Sequence, residues 1–111
     1  MHLLVCVIKD ESLLFEILTG WIDGGITGGT IVESTGALEL LSDQVPIFAG
    51  FRSLVSGGNA YSKTLFTAVE DPVVLEAAIG WLKQVCQKAG PDQGIYFVAP
   101  LSEMGHLGRQ D

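Results

Sequence analysis

Twice in 111 residues a short, branched apolar segment runs into an amphipathic helical stretch, and a second strand-like segment follows. That order limits the chain to few folds. The first unit opens with residues 3–9 (LLVCVIK), apolar almost throughout and too short for an ordinary helix, so it reads as a strand. Alternation places Leu3, Val5 and Val7 on one face and Leu4, Cys6 and Ile8 on the other. Both faces are apolar, so both need cover. Asp10 is positioned to cap a helix running to about Asp23, on which Leu13, Leu14, Ile17, Leu18, Trp21 and Ile22 fill about half of the circumference. Gly24 and Gly25 close it, and a second strand is expected over residues 26–34, where Gly28 and Gly29 suggest a bulge or a close backbone approach.

Residues 35–60 show no sustained period and read as a long connection. A third strand over 62–70 leads to the clearest helix signal in the chain. Asp71 can cap, Pro72 suits the first helical position, and Gly90-Pro91 ends the helix. Leu75, Ala78, Ile79, Leu82, Val85, Cys86 and Ala89 fall within about 120° of arc, a single buried stripe. Residues 95–99 (IYFVA) form the last strand, and the tail 101–111 is polar. The order βαβ, long loop, βαβ is that of a ferredoxin-like α+β sandwich: one domain over 1–111, a four-stranded antiparallel sheet with two helices on one face. Two helices cover only one side of such a sheet. Strands one and four are apolar on both, so the open face is expected to be buried by oligomerisation.

Six basic against thirteen acidic side chains give a formal charge of -7, which disfavours nucleic acid and anionic membrane surfaces as partners. With 48% hydrophobic and 17% charged residues, the bulk of the chain is not disordered. The longest apolar run, residues 3–8, falls well short of the roughly 20 residues of a membrane span, so no membrane insertion is expected. The start lacks a basic leader region, and Cys6 and Cys86 lack metal-site or disulfide-framework spacing; a cytoplasmic protein with reduced thiols is the expectation.

Four stretches, in order and spacing, resemble the PII family of nitrogen-regulatory signalling proteins. Val7-Ile8-Lys9 followed by a helix resembles the family's opening strand and first helix. Residues 25–33 (GITGGTIVE) are similar to its G-[VI]-T-G-x-T-V-x-E second strand, the most specific of the four. Lys63 through Asp71 is similar to the third strand, and Gly94-Ile95-Tyr96-Phe97-Val98 to the G-K-I-F-V strand, with Pro100 where many members have proline. The resemblance covers the chain to about Pro100. It implies a homotrimer whose sheets pack around a three-fold axis, with a metabolite bound between subunits and a target protein engaged by the loop between strands two and three. On this resemblance the chain is a sensor and regulator, not an enzyme. The ligand-facing positions it implies are Thr30, Gly36, Lys63, Gly94 and Arg109, and Arg52, the only cation between Lys9 and Lys63, joins them as a candidate anion clamp. The partner-binding loop would present Pro46, Ile47, Phe48, Phe51 and Arg52 to an unidentified target.

The chain departs from the family where phosphate would be held. The family turn T-G-x-x-G-D-G-K stands here as residues 88–95 (KAGPDQGI), with Ile95 in place of its lysine. The family's paired arginines fall at His106 and Gly108, with Arg109 one position on. Phosphates want backbone N–H groups and fixed cations, so an adenine nucleotide, the cofactor the resemblance implies, has lost most of its recognition, and the ligand's identity is left open. The loop contains no tyrosine to be uridylylated and is apolar instead.

Each candidate also has a plainer reading. Arg52 is an anion clamp or a solvated loop arginine, and Lys63 a cleft residue or a strand-end charge that guards an edge. Arg109 either reaches a neighbouring cleft or frays with the terminus. Thr30 and Gly36 are ligand contacts or simply a strand threonine and a turn glycine. Cys6 and Cys86 are expected to be buried and inert, His2 and His106 lack partner ligands at metal spacing, and Trp21 and Trp81 pack in the core or an interface. The acidic pairs Asp10-Glu11 and Glu70-Asp71 sit at helix starts, where the dipole explains them. Two other functions stay in view: a structural or metal-related trimer of the related CutA kind, without nucleotide, and a small enzyme such as an acylphosphatase. The latter needs an arginine in a phosphate-cradling loop beside an asparagine, and Asn59 is the only asparagine.

Overall fold

A computed structural model describes residues 1–37 and 62–108. Strand β1 (His2–Ile8) is followed by a 3-10 turn (Glu11–Leu13), helix α1 (Leu14–Asp23) and strand β2 (Thr30–Ser34). Strand β3 (Ser62–Val69), helix α2 (Pro72–Ala89) and strand β4 (Gly94–Pro100) complete the set. The sheet order is β2-β3-β1-β4, and every neighbouring pair is antiparallel. This is the ferredoxin-like α+β arrangement expected from the sequence. No helix among the described residues is long and apolar enough to cross a membrane.

The helix starts follow from local chemistry. The Asp10 carboxylate accepts from the Ser12 N–H at 3.0 Å, and hydrogen bonding with the Ser12 side chain and then its backbone holds the Asp10 pKa below the usual range. Asp71 accepts from the Val73 N–H at 2.8 Å, with Pro72 at the first helical position. Both caps fall where the sequence places them. The second strand does not. It begins at Thr30 rather than residue 26, because the Ile26 N–H is taken by the Trp21 carbonyl at 2.9 Å and its side chain enters the core. Residues 27–29 then bridge from the helix layer to the sheet.

The register fixes which residues share a face, since directly opposed residues of an antiparallel pair point the same way. Leu4, Cys6 and Ile8 of β1 and Leu65 and Val69 of β3 meet Ile17, Trp21, Ala78, Leu82 and Val85 of the helices. Ile22, expected on the buried stripe, is 61% exposed: Ile17 and Trp21 point at the sheet, and the next position on a helix is rotated by about 100° out of the core. Cys6 is fully buried, and burial, with Cys86 nearby, pushes its thiol up to about 12. Cys86 is only half-buried, less than expected, although its pKa too is raised by burial.

On the far side of the sheet, Val5 lies between Phe66 and Phe97, Leu3 between Ala68 and Ala99, and Val7 between Thr64 and Ile95. Phe66 is 37%, Phe97 50% and Ile95 63% exposed. Both faces of β1 are therefore apolar, as its sequence requires, and β4 at the sheet edge adds Ile95, Phe97 and Ala99 beside it.

The two helices are locked by their tryptophans. The Trp21 indole N–H donates to the Ala78 carbonyl at 3.1 Å, and the Trp81 indole N–H to the Glu16 carbonyl at 3.0 Å. Gly20 makes the second contact possible: a Cβ built there would lie 2.0 Å from Trp81 Nε1. Gly20→Ala gains about 1 kcal/mol of helix propensity but must push the indole away and break its hydrogen bond. We expect a net loss of about 2 kcal/mol and a melting temperature lower by about 10 °C, read by calorimetry. An unchanged or raised melting temperature would contradict this packing.

Candidate functional site

A concavity with convergent polar groups lies where α1 hands over to β2. Here the chain must leave the helix layer and cross to the sheet. Gly24 and Gly25 donate N–H groups back to α1, and Ile26 anchors the crossing segment in the core. Thr67 Oγ1 on β3 donates to the Gly28 carbonyl at 2.8 Å and fixes the crossing against the sheet. Gly29 follows so closely that a Cβ there would stand 3.3 Å from the Phe66 carbonyl oxygen.

Around this crossing the chain forms a cleft of about 580 Å³. One wall is the segment from Gly25 to Thr30, another the end of β3 with Glu70 and Asp71, and the third is Met104 and His106 from the tail. The tail is held there by the Leu101 N–H, which donates to the Met1 carbonyl at 3.0 Å. Thr27, Thr30 and Thr67 supply hydroxyls, Gly28 and Gly29 expose backbone, and Leu3, Phe66 and Val74 give apolar surface. Among the described residues the cleft holds no lysine or arginine, and it holds two carboxylates. Such a lining suits a neutral or cationic polar ligand better than a polyphosphate. Across the crossing, a smaller apolar cavity of about 230 Å³ is lined by Leu18, Trp21, Ile22 and Ile31.

Those residues singled out from the sequence that are described do not gather at one place on a single chain. Thr30 lines the cleft, opposite Phe66 in the register. Lys63 and Gly94 flank Ile8 at the other end of the sheet, three residues back along β3 from Phe66, which is about 10 Å. Gly36 lies two residues beyond β2. Arg52, Arg109, Pro46, Ile47, Phe48 and Phe51 lie outside the described residues.

The charge of Lys63 is engaged within the chain. Its ammonium pairs with the Glu33 carboxylate directly across the strands and lies 3.5 Å from Glu11 at the helix start. The hydrogen bond from Lys63 holds Glu33 below the ordinary carboxylate range and raises Lys63 above that of a free lysine. The depressed Glu33 stabilises the fold above its unfolded value of 4.5, and this is lost as pH falls through the folded value. The raised Lys63 contributes below 10.5, lost as pH rises through its folded value. Lys63→Met is therefore expected to melt lower than the parent at pH 7, with the gap closing as pH drops below about 4.5. A gap that stays constant from pH 7 to 3 would show that packing of the lysine stem, not its charge, carries the effect.

Sequence reasoning missed Thr67, Met104 and His106 as cleft residues and Glu11 and Glu33 as partners of Lys63. The opposed charges of Glu33 and Lys63 were readable only with the β2–β3 register in hand. No protein-family model matches the chain, and no curated protein is significantly similar to it.

Proposed function

We propose that this protein is a PII-like signalling protein: a homotrimer that senses a small metabolite and regulates a target protein, in nitrogen or carbon metabolism, through the 35–60 segment. It acts by binding and not by catalysis. The observation that carries the reading is the uncovered apolar face of the sheet. Four strands about 4.8 Å apart and five to eight residues long give a face of up to roughly 450 Å², the size of the largest patches monomers expose, which are often interaction sites. It is also smaller than the roughly 800 Å² per partner of a standard two-body interface. Closed cyclic packing, in which each copy contributes this face and its flanking edges, answers both facts. It also accounts for the split of the ligand positions. Thr30 at one end of the sheet and Lys63 and Gly94 at the other belong to one site only if neighbouring copies complete it.

A second reading is favoured by the cleft's chemistry. Among the described residues it offers phosphate no cation, which supports a CutA-like structural or metal-related trimer that binds no nucleotide. Melting curves of the full chain against ATP, ADP, AMP, cyclic AMP, adenosine, 2-oxoglutarate and bicarbonate separate the two. A ligand at 100 times its dissociation constant adds about 2.7 kcal/mol, several degrees for a domain of this size. A shift with one of these supports the sensor. A trimer whose melting none of them shifts supports the structural reading.

A further inference from the structure

On the helix layer a groove of about 610 Å³ runs along α1 beside Trp81 from the middle of α2. Phe15 and Trp81 give it aromatic surface, Gly20 and Gly24 keep its base low, and Glu16 and Asp23 stand at its rim. Phe15 is 83% exposed, a large apolar ring held in water on a helix that has already supplied its core face with Ile17 and Trp21. The Thr19 hydroxyl donates to the Phe15 carbonyl at 2.7 Å, so it is turned back on its own helix. The Trp81 indole N–H is likewise occupied by the Glu16 carbonyl, leaving the ring's π-surface as what it can offer. Lys88 stands 3.8 Å from Glu16 in a loose, exposed pair.

Aromatic rings beside carboxylates, with no cation at the groove's centre, are complementary to a guanidinium or ammonium group. We propose that this groove docks a basic, apolar segment of a partner protein, with an arginine or lysine side chain laid between Phe15 and Trp81 and its charge facing Asp23 and Glu16. Charge complementarity selects the occupant. This chain carries thirteen acidic against six basic residues, so a second copy brings mostly repulsion to an acidic rim, whereas a basic partner is drawn to it.

The test is titration of the full chain, followed by tryptophan fluorescence and calorimetry, with a capped ten-residue peptide of alternating leucine and arginine. Versions with glutamine or glutamate in place of arginine serve as comparisons. The arginine peptide is expected to bind, and the other two to bind at least about tenfold more weakly. Phe15→Ala and Asp23→Asn are each expected to weaken binding about threefold or more, the size of a surface cation–π or ion-pair contact. Glu103→Gln, the same charge change away from the groove, leaves affinity within about twofold. Equal affinity for the glutamine peptide, an unaffected Phe15→Ala variant, or no binding of the arginine peptide would overturn the proposal. So would a change in the protein's own solution mass on Phe15→Ala, which would assign the groove to a second copy.

Discussion

Alanine at position 94 is expected to cost the fold about 3 kcal/mol or more and to lower the melting temperature by more than about 10 °C. Gly94 opens β4 with φ at +154°, and it faces Ile8 of the central strand in the register. A Cβ there would lie 2.0 Å from the Val7 carbonyl oxygen and 3.2 Å from the Ile8 Cα. These are backbone atoms of the most buried strand, so no rotamer change relieves the overlap. Relief requires β4 to lift away from β1 where the Lys9 N–H donates to the Gln93 carbonyl at 2.9 Å. Gly28→Ala is the matched control, since a Cβ at Gly28 meets nothing within 4 Å. Calorimetry should find it within about 0.5 kcal/mol of the parent. If the two variants melt together, the β1–β4 register is wrong.

The second large effect concerns assembly. Phe97 lies beside Val5 at mid-length of the edge strand β4, on the face the proposed trimer buries, while in the single chain it is half exposed. Phe97→Glu is therefore expected to leave the secondary structure intact and to reduce the solution mass to that of one chain. Burying an unpaired carboxylate against Val5 and Phe66 costs more than the contact returns. Ile22→Glu adds the same charge to a somewhat more exposed residue on the helix layer and should leave the mass unchanged. Mass by light scattering, with circular dichroism as the check on folding, separates the two outcomes. A Phe97→Glu variant that keeps the parent's mass would remove the sheet face from the assembly.

Much of this fold could be read from residue order. The apolar runs at residues 3–8 and 95–99, the Asp10 and Asp71 caps and most of the α2 stripe each made a local prediction, and the long-range pairing agrees with them; Ala89, expected on that stripe, is exposed at the last residue of the helix. The reading failed where tertiary contacts outweighed local pattern. Residues 26–29 look like the start of a strand, yet Ile26 is drawn into the core by the bond from its N–H to Trp21. Ile22 extends an apolar stripe beyond the arc that Ile17 and Trp21 turn toward the sheet. The candidate site was less legible. Thr30 was found through its place in the GITGGTIVE stretch, whereas Thr67 and His106 reach the cleft only through the β1–β3 pairing and the path of the tail. The groove between α1 and α2 depends on Gly20 letting Trp81 lie across the helix, a packing that no periodicity encodes.

The solution mass of the unmodified protein, measured across a concentration range spanning micromolar to millimolar, bears most directly on the central proposal. The chain weighs 11.8 kDa. A mass three times that, independent of concentration, is the predicted result and would mean the apolar sheet face is closed by two further copies. A mass that stays at 11.8 kDa throughout would contradict the trimer, and with it the reading of Thr30, Lys63 and Gly94 as parts of one site shared between chains.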